Sequence, residues 1–193
     1  MGGQFKKPTA GVLLVAAGTV WIIKAMVIIT TGKQPDLLFP AGLLVCALGL
    51  CILLSGFQGP RRALAIWGAI AAGAAFASAG AAGVMEIVPG APISRGDAFV
   101  FPYSALVLLG GVGVFIGMLA LGIACYNPGQ PFRRTVIPLF AALMQAPAAL
   151  TGFIHAEFPI LLIGLSWATA GAAIAVRQFE NLGEGKLPRG RTI

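Results

Sequence analysis

Apolar residues run along the chain in six blocks, separated by short polar punctuation: residues 10–29, 37–57, 63–85, 99–126, 136–153 and 158–176. An α-helix needs roughly 20 apolar residues to cross a hydrocarbon core about 30 Å thick, so each block has the length of a membrane span. Breakers stand where the blocks end. Gly59-Pro60-Arg61-Arg62 divides the second from the third, and Asn127-Pro128-Gly129-Gln130-Pro131 the fourth from the fifth. The longest internal loop, 86–97, carries Pro89, Gly90, Pro92 and Gly96, whereas only His155-Ala156-Glu157 parts the last two blocks. In lipid each backbone polar group must be paired within its own segment. The pattern therefore predicts an all-α polytopic membrane protein, with one integral domain over 1–193 and a tail from 177 onward.

Composition strengthens this picture. With 13 Lys and Arg and 6 Asp and Glu in 193 residues, 10 % of the chain is charged, and the mean hydropathy is +0.92. Soluble domains are nearer 25 % charged. These values exclude a disordered chain and a water-soluble enzyme. The net charge of +7 does not form a nucleic-acid patch either, because it lies in small clusters between spans. If the N-terminus is cytoplasmic, Lys6, Lys7, Arg61, Arg62, Arg133, Arg134, Arg177, Lys186, Arg189 and Arg191 fall on one side and only Lys33 and Arg95 on the other. That bias predicts both termini in the cytoplasm of a bacterial-type plasma membrane. The first block exceeds a signal-peptide core and has no small-x-small cleavage site, so it reads as a retained helix. Tyr103, Tyr126 and Trp67 fall at span ends as interface anchors, while Trp21 and Trp167 lie deep, as packing residues.

Phe-Pro opens each even-numbered span: Phe39-Pro40, Phe101-Pro102 and Phe158-Pro159, with the prolines 62 and 57 residues apart. Proline is tolerated in a first helical turn, where its missing N–H has no partner to lose. An acid precedes each, Asp36, Asp97 and Glu157, and the spans exit into arginines. The chain thus reads as three consecutive helical hairpins of one orientation, unlike inverted-repeat transporters.

Catalytic chemistry is sparse. One histidine excludes a His-His metal site within the chain. No Gly-x-Ser-x-Gly, phosphate-binding loop or His-Glu-x-x-His occurs. Cys46, Cys51 and Cys125 lie in apolar runs without Cys-x-x-Cys spacing, as buried small hydrophobes. The expectation is no enzyme, no metal and no cofactor. The outer ends carry Asp36, Glu86, Asp97, His155 and Glu157. If these converge they can form a cation or proton site; otherwise the carboxylates complement helix dipoles. Lys24 is the basic residue within a span, close enough to the outer end of its helix to snorkel, with Asp36 or Glu86 as alternative partners. Gln145 can hydrogen-bond between helices, and Pro138 and Pro147 are expected to bend the fifth span. Gly113-x-x-x-Gly117 allows close helix approach, inside the bundle or against a partner.

The three-hairpin layout with Gly-rich helices closing in Arg resembles the small six-span acid-resistance proteins of the HdeD-like group. Asp36-Leu-Leu-Phe-Pro and the Gly-Leu run after it are similar to the small subunit of tripartite tricarboxylate transporters, over about the first 60 residues. Neither likeness supplies a specific motif, so no functional residue carries over. The sequence leads to a non-catalytic multi-pass protein, an accessory subunit of a membrane complex or a stress-related protein. Its expected partners are the lipid bilayer and other membrane subunits or itself. The alternative is a small transporter or channel for a proton, cation or small solute that uses the outer acidic cluster.

Overall fold

A computed structural model of the chain describes residues 9–33, 35, 37–58, 60–95, 98–127, 129, 132–151 and 157–183. The elements in order are α1 (Thr9–Thr31), α2 (Leu38–Ser55), α3 (Arg62–Ile87), β1 (Ser94–Arg95), β2 (Ala98–Phe99), α4 (Tyr103–Cys125), α5 (Phe132–Leu143), α6 (Gln145–Leu150) and α7 (Phe158–Gly183). Five of these helices are long and apolar enough to cross a membrane; the apolar stretch Val136–Leu150 is shorter. The protein is a polytopic helical membrane bundle.

Three boundaries differ from the hydropathy pattern. Residue 99 does not begin a helix: Ala98–Phe99 pairs antiparallel with Ser94–Arg95, and the fourth span starts at Tyr103. Glu86 lies in the last turn of α3, not in a loop. The fifth span is broken between α5 and α6 at Met144. The break has a local cause: a proline at i cannot donate to the carbonyl of i−4 and its ring collides with that carbonyl. For Pro147, residue i−4 is Leu143, the last residue of α5. Bonds from Met144 N–H to the Phe140 carbonyl (2.9 Å) and from Ala148 N–H to the Met144 carbonyl (3.0 Å) carry the chain across.

The helices close into a ring. α1 packs on α2, α2 on α3, α3 on α4, α4 on α5, α5 on α7, and α7 returns to α1; α2 also reaches across to α4. The most extensive pairings are α1 with α7 and α3 with α4. Only the second of these joins neighbours in sequence.

Buried positions repeat every seven residues: Gly11, Gly18 and Ala25 on α1, Gly68, Ala75 and Ala82 on α3, and Tyr103, Gly110, Gly117 and Ala124 on α4. This is the period of a packed helix pair. Apart from Tyr103, small residues fill these stripes, whereas large ones such as Trp67, Ile70, Phe76, Leu108 and Leu109 face outward. A large outward apolar surface is inconsistent with a soluble monomer. In lipid, apolar burial does not drive helix association, so close approach and dispersion contacts must.

Both extensive seams show that approach. α1 and α7 run antiparallel, Gly11 meeting Gly171 and Gly18 meeting Gly164. A Cβ at Gly164 would lie 2.9 Å from the Gly18 carbonyl oxygen, and one at Gly171 would lie 2.7 Å from that of Gly11. On the other seam, a Cβ at Gly113 would stand 2.6 Å from the Ala71 carbonyl oxygen, and Gly117 abuts Leu50 and Ala72. At the end of this seam Arg61 donates to the carbonyls of Ile123 and Tyr126, and its guanidinium lies 5.9 Å from the Tyr126 ring centroid. A cation there satisfies carbonyls that a helix C-terminus leaves unpaired and complements its dipole. Arg61 is thus a helix cap as well as a basic flank.

Candidate functional site

A buried polar and aromatic cluster lies where α1, α2, α6 and α7 meet. Lys24, 3 % exposed, sits on the stripe of Ala10 and Ala17, seven and fourteen residues before it, so its side chain enters the bundle instead of snorkelling outward. Its ammonium lies 4.9 Å from the centroid of the Phe39 ring. The Phe39 ring lies tilted against Trp21, centroids 5.3 Å apart, and Trp21 lies tilted against Trp167 at 4.6 Å. The Trp167 indole N–H donates to Gln145 Oε1 at 3.1 Å. One chain of contacts thus joins the intramembrane lysine to the glutamine at the start of α6.

Energetics argue for specific roles. A charge at the centre of a span costs about 2.5–3.5 kcal/mol on insertion scales. A desolvated cation over an aromatic face recovers about 2 kcal/mol, and Lys24 has interactions beyond this ring. Gln145 is 5 % exposed, and its Nε2 has no hydrogen-bond partner; nor does Trp21 Nε1, which lies against Gly42. The orientation of the Gln145 amide follows from chemistry, because an indole N–H only donates and therefore must face the oxygen. The NH₂ is left as a buried donor. Such groups are rare in native proteins and each calls for an explanation.

The other candidates are distributed around the bundle. Tyr103, expected as an interface anchor, is 2 % exposed and donates its hydroxyl to Glu86 Oε1, tying the ends of α3 and α4 together. The reason is register: Tyr103 belongs to the seven-residue stripe of α4 that faces α3. Glu86 and Glu157 each have further interactions. Asp36, Asp97 and His155 lie outside the described residues. Among the described residues no group of three or more His, Cys, Asp or Glu comes together. Gly113 and Gly117 lie inside the α3–α4 seam, and Cys46, Cys51 and Cys125 form no disulfide.

Outside the cluster, an apolar groove of about 680 Å³ runs between α5–α6 and α7. Met144 and Pro147 line one wall and Leu162, Leu165, Ser166 and Thr169 the other. The hydroxyls of Thr151, Ser166 and Thr169 bond to carbonyls of their own chain segment, at Ala148, Leu162 and Leu165 respectively, which keeps the wall apolar.

Sequence reasoning singled out Lys24 and Gln145 but not the aromatic link between them, since Trp21 and Trp167 read as packing and Phe39 as part of a repeat. One signal was available: Trp21 stands three residues before Lys24, on the same helix face. Comparison with protein-family models, curated proteins and solved structures gave no match, so the two resemblances drawn from the sequence gain no support.

Proposed function

We propose that this protein handles a small, hydrogen-bond-accepting solute within the membrane, as a transporter or channel of a bacterial-type plasma membrane with both termini cytoplasmic. The observation that carries the reading is Gln145: a buried amide donor without a partner, at the break of a discontinuous helix and linked through Trp167 and Trp21 to the environment of Lys24. Broken helices commonly build midplane substrate sites in transporters, and intramembrane lysines commonly mark solute paths.

The test is flux in proteoliposomes with a panel of probes: acetate, glycerol and potassium. Acetate or glycerol, which accept hydrogen bonds, should move, and Gln145→Leu should lower that flux at least about tenfold, the loss of one buried hydrogen bond to the solute. No flux of any probe, or equal flux in the variant, defeats the reading.

A second reading is the non-catalytic subunit. Gly113 and Gly117 are spent within the bundle, but Gly73 and Gly111 have open space where a Cβ would stand, so a partner helix has small-residue positions to approach on α3 and α4. Intact-complex mass after gentle extraction decides it: a stoichiometric partner that Gly111→Leu removes supports a subunit, and a lone monomer sinks it.

A further inference from the structure

We infer that the solute handled at Gln145 is a small monovalent anion, a halide or a singly charged oxyanion, which only accepts hydrogen bonds. This assignment rests on the transporter reading and gives its substrate a sign. The free hydrogen-bonding capacity of the cluster has one sense. Gln145 Oε1 is taken by the Trp167 indole, while Gln145 Nε2 and Trp21 Nε1 are buried donors without a hydrogen-bond partner. Amide and indole nitrogens donate and do not accept. Trp21 Nε1 lies against Gly42, which has no side chain to offer an acceptor. A hydroxyl-bearing solute brings protons of its own, and each one buried without an acceptor costs about a factor of ten. An anion brings acceptors only.

Charge points the same way. Lys24 is buried in the same cluster. No Asp or Glu occurs on α1, α2 or α6, or on α7 from Phe158 to Val176. The segments that build the cluster therefore bring one positive charge and no negative one. Steps of 4.9, 5.3 and 4.6 Å lead from the ammonium through Phe39 and Trp21 to the Trp167 ring. At about 15 Å, the most these steps allow, and an effective dielectric of about 20, a unit charge favours an anion at least about sixfold. A cation would meet donors and a like charge.

The experiment follows chloride, methanesulfonate and glycerol into proteoliposomes of the full chain, with a protonophore present to balance charge. Both anions should enter at least about tenfold faster than glycerol. Gln145→Glu keeps an acceptor for the Trp167 indole and sets an oxygen in place of the free donor. It should lower anion entry at least about tenfold. Lys24→Gln removes the charge and should raise the half-saturating anion concentration about sixfold. Glycerol entering as fast as the anions, or faster, overturns the inference and leaves the transporter reading standing. No entry of any probe overturns both. Anion entry that is unchanged in both variants also overturns the inference, because the anion then passes by another route.

Discussion

On α7, the face toward α1 and the face toward α5 and α6 are built to opposite ends. The first presents Gly164 and Gly171, seven residues apart, and brings backbone against backbone. The second presents Leu162, Leu165, Ser166 and Thr169 to a helix broken by proline, and a groove remains. Both faces are apolar, so hydropathy does not distinguish them. Side-chain size does. Where no Cβ intervenes, carbonyls and Cα atoms of two helices come into contact and dispersion holds them. Where branched side chains meet a broken partner, the surfaces do not interdigitate and space is left between them.

The sharpest way to break this contrast is to add volume to the closed face. Gly164→Leu would drive a side chain into the Gly18 carbonyl and the Ile22 backbone nitrogen, 2.9 and 3.1 Å from its Cβ alone. Because the obstacle is backbone and cannot rotate away, the cost should reach or exceed about 3 kcal/mol, the upper end for overpacking. Thermal unfolding in detergent should show a large fall in midpoint or loss of the folded species. A near-native midpoint would mean that the α1–α7 seam is looser than described.

Next in size is Arg61→Ala, which tests whether the other extensive seam is closed by its cap. Two carbonyls at the end of α4 lose a charged donor. The expected loss is about 1–3 kcal/mol, discounted toward the lower figure because Arg61 is partly exposed. Arg61→Lys should recover only part of it, since an ammonium lacks the fork that spans two acceptors. Full recovery by lysine would reduce Arg61 to a topology charge.

Smallest should be Leu165→Ala on the open face. Leu165 is 46 % exposed, and shortening it enlarges a groove instead of creating a cavity. Stability should change by less than about 1 kcal/mol, below the range for buried leucines. A loss as large as that of Gly164→Leu would erase the distinction between the two faces.

Much of the fold was legible along the chain. Helix starts at Thr9, Leu38, Arg62 and Phe158 fall within a residue of the apolar blocks, because desolvating polar and charged groups in lipid is costly enough to mark these boundaries. The start at Tyr103 was not visible in the apolar pattern, whereas the break at Met144 fulfils the bend expected of Pro147 and only its position was new. Pro102 and Pro147 were visible, but hydropathy treats proline as neutral, whereas the lost donor at Pro147 acts four residues upstream, at Leu143. At the candidate site, Lys24 and Gln145 stood out as polar residues in apolar runs, while the aromatic link between them did not, since its contacts join helices far apart in sequence.

The sequence by itself determined the succession of apolar segments, the approximate ends of most of them and the apolar, Gly-rich nature of the bundle, because these depend on transfer of local segments from water to lipid. Only the tertiary structure decided that the first helix zips onto the last, that Lys24 turns inward onto Phe39 and that one side of α7 stays open. In a membrane the inner and outer faces of a helix are equally apolar. Neighbours are therefore chosen by shape, and shape is complementary only between helices already brought together.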